Sequence, residues 1–477
     1  MKKITILLMI FTICTIAQTR FNDINQLVRS GEFSQAEKII NEKLNSDDLS
    51  YDEIFELQFE KERLDRVRKD FNKTAADILQ VVNKYYPEAT EKDLKKWEDD
   101  GSLEYKVIDG TKWYFSRAAY NLFRIDKEAK KQKQLVDGIQ PDPLYVFLEE
   151  YIPLALDESA NSYEKLVKSV VLNLDYTVTV KPNEVPPGEI IRCWLPYPRE
   201  GHNRQVDIKL LGVNIDEYVI ADNNNQQRTI YVEKTAQKDQ PTVFHMVLEV
   251  TMFAEVNFID PDLIKPYNKE SGLYKTFTAE RAPHIVFTDK IKELSAKIIG
   301  DEKNPYLIAK KIFTWISQNI PWAGAREYST IENISDYCVS RMHGDCGIKT
   351  LLFMTLCRYN GIPAKWQSGW MLHPGEVNLH DWSEIYLEGY GWIPVDQSFG
   401  LIESELEDEK YFFLGNTDSY HLITNDDYSR PLFPAKTFPR SETIDFQRGE
   451  LEWRGGNLYF DKWNYKMKVE YKQLTNE

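Results

Sequence analysis

The sequence predicts an α+β protein of several domains, in which a mostly helical region, a β-rich region and a mixed region follow one another. The chain has 477 residues, more than one ordinary core accommodates, and its hydrophobic content of 42% is sufficient for packed domains. Apolar residues recur at helical spacing in the first region, alternate with polar residues in the second, and follow both patterns in the third. We expect a signal peptide at 1–17 and domains at 18–160, 161–275 and 276–477.

The first 17 residues have the three parts of a secretory signal peptide. Lys2 and Lys3 precede an apolar run and small residues follow it, so we expect cleavage after about Ala17 and export to the periplasm or the extracellular space. Lipid attachment through Cys14 is a less favoured alternative, because Ile13 stands where such sites normally need Gly or Ala. The alternative that this N-terminal segment is not cleaved and stays as an apolar helix has less support. No later segment reaches about 18 apolar residues, so no membrane span is expected.

The region 18–160 carries helical patterns at 25–44, 51–84 and 91–99 and one hairpin signal at Asp109-Gly110. It contains no cluster of catalytic residue types, so we expect a packing module or a surface for a protein partner. The net charge of −16 argues against nucleic acid and anionic membranes as partners, since both require clustered Lys and Arg.

The region 161–275 consists of short alternating or β-branched runs separated by Pro, Gly and Asn, which predicts a β-sandwich. Cys193 lies in one of these runs beside Trp194 and is interpreted as a small core residue. The region after 276 begins with helical patterns at 289–300 and 304–320. Three strand patterns follow, and a hairpin around Gly455-Gly456 is expected to complete this last domain.

A cysteine stands between glycines at the start of an apolar helix in HGDCGIKTLLF, residues 343–353. Gly344 and Gly347 leave room around Cys346, and we expect the helix to begin at about this cysteine. The free N–H groups and partial positive charge of a helix N-terminus favour a thiolate and can receive an oxyanion. The position is therefore typical of a nucleophile.

His380 and Asp396 are the predicted base and its orienting carboxylate. His380 begins a strand that turns at 389–391 and returns to Asp396. A turn of odd length places Asp396 on the same face, one diagonal pair from His380, whereas an even turn places the two residues on opposite faces. Cys346, His380 and Asp396 then form an acyl-transfer triad.

Four motifs resemble the core of the transglutaminase-like superfamily: GDCG at 344–347, GIPAK at 361–365, HDW at 380–382 and GWIPVD at 391–396. The resemblance covers about 125 residues, from roughly 276 to 400. It implies a papain-like fold in the last domain, and the β-rich region resembles the sandwich often found upstream of bacterial members.

By position, the resemblance makes Cys346 the nucleophile, His380 the base and later the acid, and Asp396 the residue that orients the imidazole. Asp381 replaces a frequent Ala, and this carboxylate is expected either to tune the imidazole or to face solvent. Trp322 is a candidate for stacking at the site or for oxyanion support, with a core position as the alternative.

Other candidates are weighed against simpler interpretations. Trp382 and Glu384 share a strand face with His380 by alternation and are candidates for a supporting layer. A disulfide between Cys338 and Cys346 is a minor alternative to a free nucleophile, and Cys357 is expected in the core. His343 and His373 are interpreted as surface or loop residues rather than metal ligands. No metal or organic cofactor is expected, and regulation by calcium stays open.

Together these observations predict an exported cysteine enzyme that acts on a peptide or protein substrate. The thiolate attacks a peptide or glutamine carboxamide carbonyl, and a thioester forms. Hydrolysis is the preferred outcome, with transamidation and deamidation as alternatives from the same chemistry. The competing class is a non-catalytic binding or scaffold protein that retains the fold.

Overall fold

The computed structural model describes residues 21–46 and 48–472, so the predicted signal peptide and Cys14 lie outside the described residues. The described chain mixes helices and strands, which confirms the α+β class. The described residues divide into two compact units, one formed by those up to Ile139 together with Ala323–Glu332, the other by Gln140–Trp322 together with those from Asn333 onward. None of the helices in the described ranges is long and apolar enough to cross a membrane.

The first unit is mostly helical. Its helices are α1 (Asn22–Ser30), α2 (Phe33–Leu44), α3 (Tyr51–Asp70), α4 (Ala75–Val82), α5 (Glu91–Asp99), α6 (Ala118–Ile125) and α7 (Lys127–Asp137). A small antiparallel sheet accompanies them, with the order β1 (Phe71–Lys73), β3 (Thr111–Phe115), β2 (Tyr105–Ile108). Capping boxes at Ser50 and Thr74 begin α3 and α4, because each side-chain hydroxyl and the acidic residue three positions later satisfy free backbone N–H groups.

The structure confirms one prediction for this region and corrects another. The hairpin is confirmed, since β2 and β3 pair around Asp109 and Gly110, both with positive φ. The helical pattern at 51–84 is interrupted by β1, whose Phe71 pairs with Phe115 of β3. Pairing with a strand more than 40 positions away overrides the local helical pattern.

The second unit begins with a helix that the sequence assigned to the first region. Helix α8 (Pro143–Ser162) starts at the cap Asp142 and belongs to the second unit, whereas Ala323–Glu332 belongs to the first. The buried side chains of α8 include Leu148, Ile152 and Ala155, one apolar stripe at helical spacing. Spacing alone reveals such a stripe but not the domain against which it packs.

The β-rich region forms two antiparallel sheets. Its strands are β4 (Leu166–Val180), β5 (Ile190–Pro196), β6 (Gln205–Val213), β7 (Tyr218–Ile220), β8 (Thr229–Thr235) and β9 (Thr242–Glu255). The C-terminal strands are β14 (Glu450–Trp453), β15 (Gly456–Asn457) and β16 (Trp463–Lys472). One sheet has the order β15-β14-β5-β8-β7 and the other β16-β4-β9-β6. The expectation that the C-terminal hairpin completes the mixed region is therefore wrong, because β14 and β16 pair with strands of the β-rich region.

The mixed region places helices beside a third sheet. Its helices are α9 (Gly272–Phe277), α10 (Asp289–Ile299), α11 (Pro305–Asn319), α12 (Ile334–Arg341), α13 (Cys346–Tyr359) and α14 (Glu407–Lys410). The sheet has the order β12 (Gly391–Val395), β11 (Glu376–Leu387), β10 (Ala364–His373), β13 (His421–Asn425). Helix α13 packs against β10 and β11, and residues 347–358 of this helix are buried.

Candidate active site

Cys346 is the first residue of α13, as predicted. Its predecessor Asp345 caps the helix by accepting a hydrogen bond from the backbone N–H of Ile348 over 3.2 Å. Gly344 must be a glycine, because a Cβ at this position would overlap the side chain of Ile348. Cys346 itself is half-buried. These contacts fix the sulfur at the helix N-terminus.

The thiol of Cys346 contacts the residue next to the predicted base. Its Sγ donates a hydrogen bond to Oδ2 of Asp381 over 3.4 Å, and within the described residues no hydrogen bond links it to the imidazole of His380. Asp381 is 1% exposed, so the expectation that this carboxylate faces solvent is wrong. It is a partner of the sulfur.

The electrostatic environment of Cys346 differs from the predicted one. Burial raises the pKa of the Cys346 thiol, and the carboxylates of Asp381 and Asp345 raise it further. The backbone N–H of Asp381 acts in the opposite direction but does not outweigh them. The predicted thiolate is therefore not the favoured state in this arrangement, because burial and the two carboxylates disfavour the charged form of the sulfur.

His380 and Asp396 form a short buried hydrogen bond. The distance from Nε2 of His380 to Oδ2 of Asp396 is 2.6 Å, and both residues are 3% exposed. The backbone N–H groups of Ser398 and Phe399 donate to Oδ1 of Asp396 over 2.8 and 3.0 Å, which fixes the carboxylate. Burial alone would raise the pKa of Asp396, but the imidazoles of His380 and His421 hold it below its ordinary value.

The register of β11 and β12 explains why these two residues meet. Leu387 pairs with Gly391 and Ser383 with Val395, so the turn has the odd length that the prediction required. Gly389 and Gly391 have positive φ, which L side chains rarely adopt, and this conformation permits the tight reversal.

A hydrogen bond links the start of α13 to the segment that follows β12. The side-chain amide of Gln397 donates to the hydroxyl of Thr350, one turn along α13 from Cys346. The ammonium of Lys349, also on α13, interacts electrostatically with both Cys346 and Asp396. The predicted nucleophile and orienting carboxylate thus belong to connected elements, while their catalytic roles stay a prediction.

The three supporting candidates occupy different positions. Trp382 is 1% exposed and stacks on His380 with ring centroids 5.8 Å apart. The carboxylate of Glu384 forms an ion pair with Lys365 at 2.6 Å. Trp322 is 39% exposed and forms a parallel backbone bridge with Gly344, beside the loop that leads to Cys346.

Sequence reasoning missed a second histidine at Asp396. Nε2 of His421 lies 3.1 Å from Oδ2 of Asp396, and its Nδ1 lies 2.9 Å from Oδ1 of Asp418. Oδ2 of Asp418 in turn accepts from Nε2 of His373 over 2.9 Å. The expectation that His373 is a surface or loop residue is therefore wrong, and His343 is also buried.

Gln447 was also missed, because it lies in the C-terminal segment that carried no recognisable pattern. Its side-chain amide donates to the carbonyl oxygen of His380 and to Oδ1 of Asp381, each over 2.6 Å. The indole of Trp370 donates to the carbonyl oxygen of Gln447 over 2.9 Å. One buried amide thus holds the backbone of the predicted base and the carboxylate that contacts the sulfur.

Neither a disulfide nor an ion is needed to explain these contacts. The cysteines of the described residues, Cys193, Cys338, Cys346 and Cys357, are free thiols, so the alternative disulfide is not formed. The groups His373–Asp418–His421 and His380–Asp396–His421 each bring three possible ligand atoms within 4.8 Å. Their nitrogen–oxygen pairs lie at 2.6–3.1 Å, the distances of hydrogen bonds in which imidazole N–H groups donate to carboxylates.

Comparison with known proteins identifies the domain that carries this site. Residues 292–397 match the transglutaminase-like superfamily, so the chain contains a transglutaminase-like domain, as the four motifs predicted. An uncharacterised protein of Haemophilus influenzae is 28% identical over 242 residues, an alignment that covers 43% of this chain and 63% of the relative. The chain therefore spans less than two thirds of that relative's length.

Two of the similar solved structures come from other bacteria. A candidate cysteine protease from Cytophaga hutchinsonii is 18% identical, with a TM-score of 0.45 over 65% of this chain and 93% of that chain. The periplasmic domain of TgpA from Pseudomonas aeruginosa is 12% identical, with a TM-score of 0.27 over 48% of this chain and 88% of that chain.

Proposed function

We propose that the transglutaminase-like domain is a cysteine enzyme that cleaves peptide or glutamine carboxamide bonds. Cys346 is the nucleophile, His380 the general base and then the general acid, and Asp396 orients the imidazole. The observation that carries this proposal is the 2.6 Å buried hydrogen bond between His380 and Asp396, in a domain whose Cys346 begins a helix. A fixed imidazole and a cysteine at a helix N-terminus are the parts that acyl transfer requires.

The contact between Cys346 and Asp381 defines a resting state of this enzyme. Nε2 of His380 is bound to Asp396, so Nδ1 is the ring nitrogen left to take the thiol proton. Before attack, Sγ leaves Asp381, and the start of α13 shifts against β11 so that the sulfur reaches this nitrogen when substrate binds. Hydrogen bonds between catalytic groups are often long or absent in unliganded sites and form only with substrate.

The reaction then proceeds in two steps that share one base. The Cys346 thiol gives its proton to His380, and the sulfur forms a bond to the substrate carbonyl carbon. The imidazolium returns that proton to the leaving nitrogen as the carbon–nitrogen bond breaks, which leaves a thioester. A water molecule then gives a proton to His380 and attacks the thioester carbon. The imidazolium passes that proton to the sulfur as the carbon–sulfur bond breaks.

The start of α13 supplies the groups that stabilise the tetrahedral intermediates. Free backbone N–H groups at a helix N-terminus carry partial positive charge and can donate to an oxyanion. Asp345 already accepts the N–H of Ile348, so the earlier N–H groups are the ones available to the substrate oxygen. Trp322 lies beside this loop and is our candidate for covering the bound substrate.

Hydrolysis is the outcome that we favour, with transamidation and deamidation as alternatives. The test is mass analysis of products from glutamine-containing peptides, with and without a primary amine, using wild type and Cys346→Ala. Chain cleavage indicates a peptidase, a gain of one mass unit indicates deamidation, and an amine adduct indicates transamidation. Peptides left unchanged by folded wild-type protein across pH 5–9 contradict the proposal.

One observation favours a scaffold function instead. The thiol pKa is raised by burial and by Asp381 and Asp345, which is the opposite of an activated cysteine. Iodoacetamide labelling separates the two functions, with the core residue Cys357 as an internal reference. Equal labelling of Cys346 and Cys357 across pH 5–9, with and without substrate peptide, supports the scaffold.

Export and partner binding complete the proposal. Residues 1–17 are proposed to direct export, which predicts a secreted protein whose N-terminus lies close to residue 18. The residues between 18 and 160 are proposed to bind a protein partner. Mass determination of the mature N-terminus and crosslinking in the native host test these two points.

A further inference from the structure

Five buried side chains form one hydrogen-bonded series that ends at the predicted base. The order is His373, Asp418, His421, Asp396 and His380, and consecutive nitrogen–oxygen distances are 2.9, 2.9, 3.1 and 2.6 Å. Asp396 follows β12, Asp418 precedes β13 and His421 begins β13. These are the two outer strands of the sheet, with β11 and β10 between them. All five are at most 3% exposed, so water does not compete for these bonds.

The carboxylates in this series are fixed by the backbone as well as by imidazoles. Oδ1 of Asp418 accepts from the backbone N–H of Tyr420 over 2.8 Å in addition to His421. His421 and His380 donate to the same oxygen, Oδ2 of Asp396. The position of His421 therefore determines how much of that oxygen's negative charge is left for His380.

The charges of the series follow from these contacts. Burial lowers the pKa of His421, but Asp418 and Asp396 outweigh it and raise the pKa to about 9. Burial would raise the pKa of Asp418, yet His373 and His421 hold it well below its ordinary value. Burial lowers the pKa of His373, which leaves that ring neutral. His421 is thus the imidazolium that joins two buried carboxylates.

We propose that His421, held by Asp418, is a positioning residue that sets the orientation and basicity of the His380–Asp396 pair. This inference rests on the proposed function, since it assigns roles around the same base. His421 and His380 have ring centroids 5.3 Å apart and share Oδ2 of Asp396 as their acceptor. The cation on His421 therefore fixes the carboxylate that orients His380 and lies beside the ring that must accept the proton of Cys346.

Other charged and titratable groups face the series from neighbouring elements. Nη1 of Arg204 donates to the carbonyl oxygen of His421 over 2.7 Å. Electrostatic interactions also reach Asp396 or Asp418 from the side chains of Tyr145, Tyr151, Arg204, Lys349 and Tyr420. Among the described residues, only His421 bonds both Asp396 and Asp418, so its replacement is the change that separates the base from the rest of the series.

The test is histidine NMR of the full chain, with ring signals assigned through single His→Gln variants. In wild type, both ring nitrogens of His421 are expected to be protonated at pH 7. In His421→Gln the low-field proton signal of the hydrogen bond between His380 and Asp396 is expected to move, because Oδ2 of Asp396 loses its second donor. Asp418→Asn is expected to move the same signal less, since the ring of His421 stays in place.

The matched control is His202→Gln, which breaks another His–Asp pair of the same unit, with Asp426 at 2.9 Å. It is expected to leave the low-field proton signal of the His380–Asp396 hydrogen bond unchanged. In an active enzyme, the acidic limb of the kcat/KM profile shifts in His421→Gln, a change that a loss of stability alone does not produce.

The outcomes separate this inference from the proposed function. A neutral His421 at pH 7, or an unshifted His380 signal in a folded His421→Gln variant, overturns the inference even if the wild type is active. Stoichiometric zinc in the purified wild type overturns it as well, because an ion would then replace the protons. A shifted His380 signal in a chain without activity supports the inference while the proposed function fails.

Discussion

Sγ of Cys346 lies 3.4 Å from Oδ2 of Asp381, while the neighbouring His380 is bound to Asp396. Asp381 and His380, which are adjacent on β11, thus contact the proposed nucleophile and the proposed orienting carboxylate, respectively. Alternate side chains of a strand point to opposite faces, so the thiol and the base approach β11 from different directions. The resting site is assembled in two halves, and the proposed reaction requires the start of α13 to shift against β11 so that the sulfur reaches the base.

Replacing Asp381 is expected to activate the thiol. In Asp381→Ala the carboxylate that raises the Cys346 pKa is lost, and each pH unit of lowering gives about a tenfold higher thiolate fraction below the pKa. Iodoacetamide labelling of Cys346 at pH 7 is therefore expected to be faster in the same proportion. The Cys346→Ala variant shows whether the label is on Cys346. The Asp381→Asn variant removes the charge while it keeps the size and shape of the side chain. Equal rates in wild type and both Asp381 variants would show that the carboxylate does not control the sulfur.

Removing the charge of Asp396 is expected to stop catalysis without unfolding the site. In Asp396→Asn the amide oxygen can still accept from the N–H groups of Ser398 and Phe399, but it no longer stabilises an imidazolium. We expect kcat to fall by about a thousandfold or more, with little change in KM. His202→Gln serves as the control for loss of a His–Asp bond elsewhere. A kcat within tenfold of wild type would remove Asp396 from the mechanism.

The loop before Cys346 is expected to tolerate no side chain at Gly344. In Gly344→Ala the new Cβ overlaps Ile348, so the start of α13 must move. Such overpacking costs about 1–3 kcal/mol, and a displaced sulfur is expected to lower kcat by at least about tenfold. Gly212→Ala is the matched control, since a Cβ there meets nothing within 4 Å. Steady-state kinetics on both variants check the expectation, which an unchanged kcat in Gly344→Ala contradicts.

A buried carboxyl in the first unit is expected to make its stability depend on pH. Burial raises the pKa of Asp70 to about 7, and Glu327 adds to this effect. Because the folded pKa exceeds the unfolded value of about 3.9, the contribution to stability is complete below that value and is lost as pH rises through 7. The loss amounts to roughly 4 kcal/mol.

Asp70→Asn is expected to abolish this dependence, since an amide does not titrate. Its oxygen can still accept from the Thr330 hydroxyl, which lies 3.0 Å from Oδ2 of Asp70. Hydrogen exchange of the first unit in the full chain, corrected for intrinsic rates at pH 5 and pH 8, measures the effect. Parallel pH dependence in wild type and variant would show that Asp70 does not titrate in this range.

Several features of the site were determined by local sequence alone. The Asp345 cap and the apolar run after it start α13 at Cys346. The glycines at 389 and 391 permit a turn of odd length, which places His380 and Asp396 within hydrogen-bonding distance. These features depend on residues within about 20 positions of one another, where helical or strand periodicity and turn chemistry determine the structure.

Only the tertiary structure decided which groups surround the sulfur and the base. Asp381 became the partner of Cys346, and His421, Asp418 and Gln447 joined the site from a segment without a recognisable motif. The C-terminal strands likewise returned to the β-rich sheets rather than to the mixed region. Such contacts join residues far apart in the chain, so they depend on the packing and register of whole elements, which no local pattern encodes.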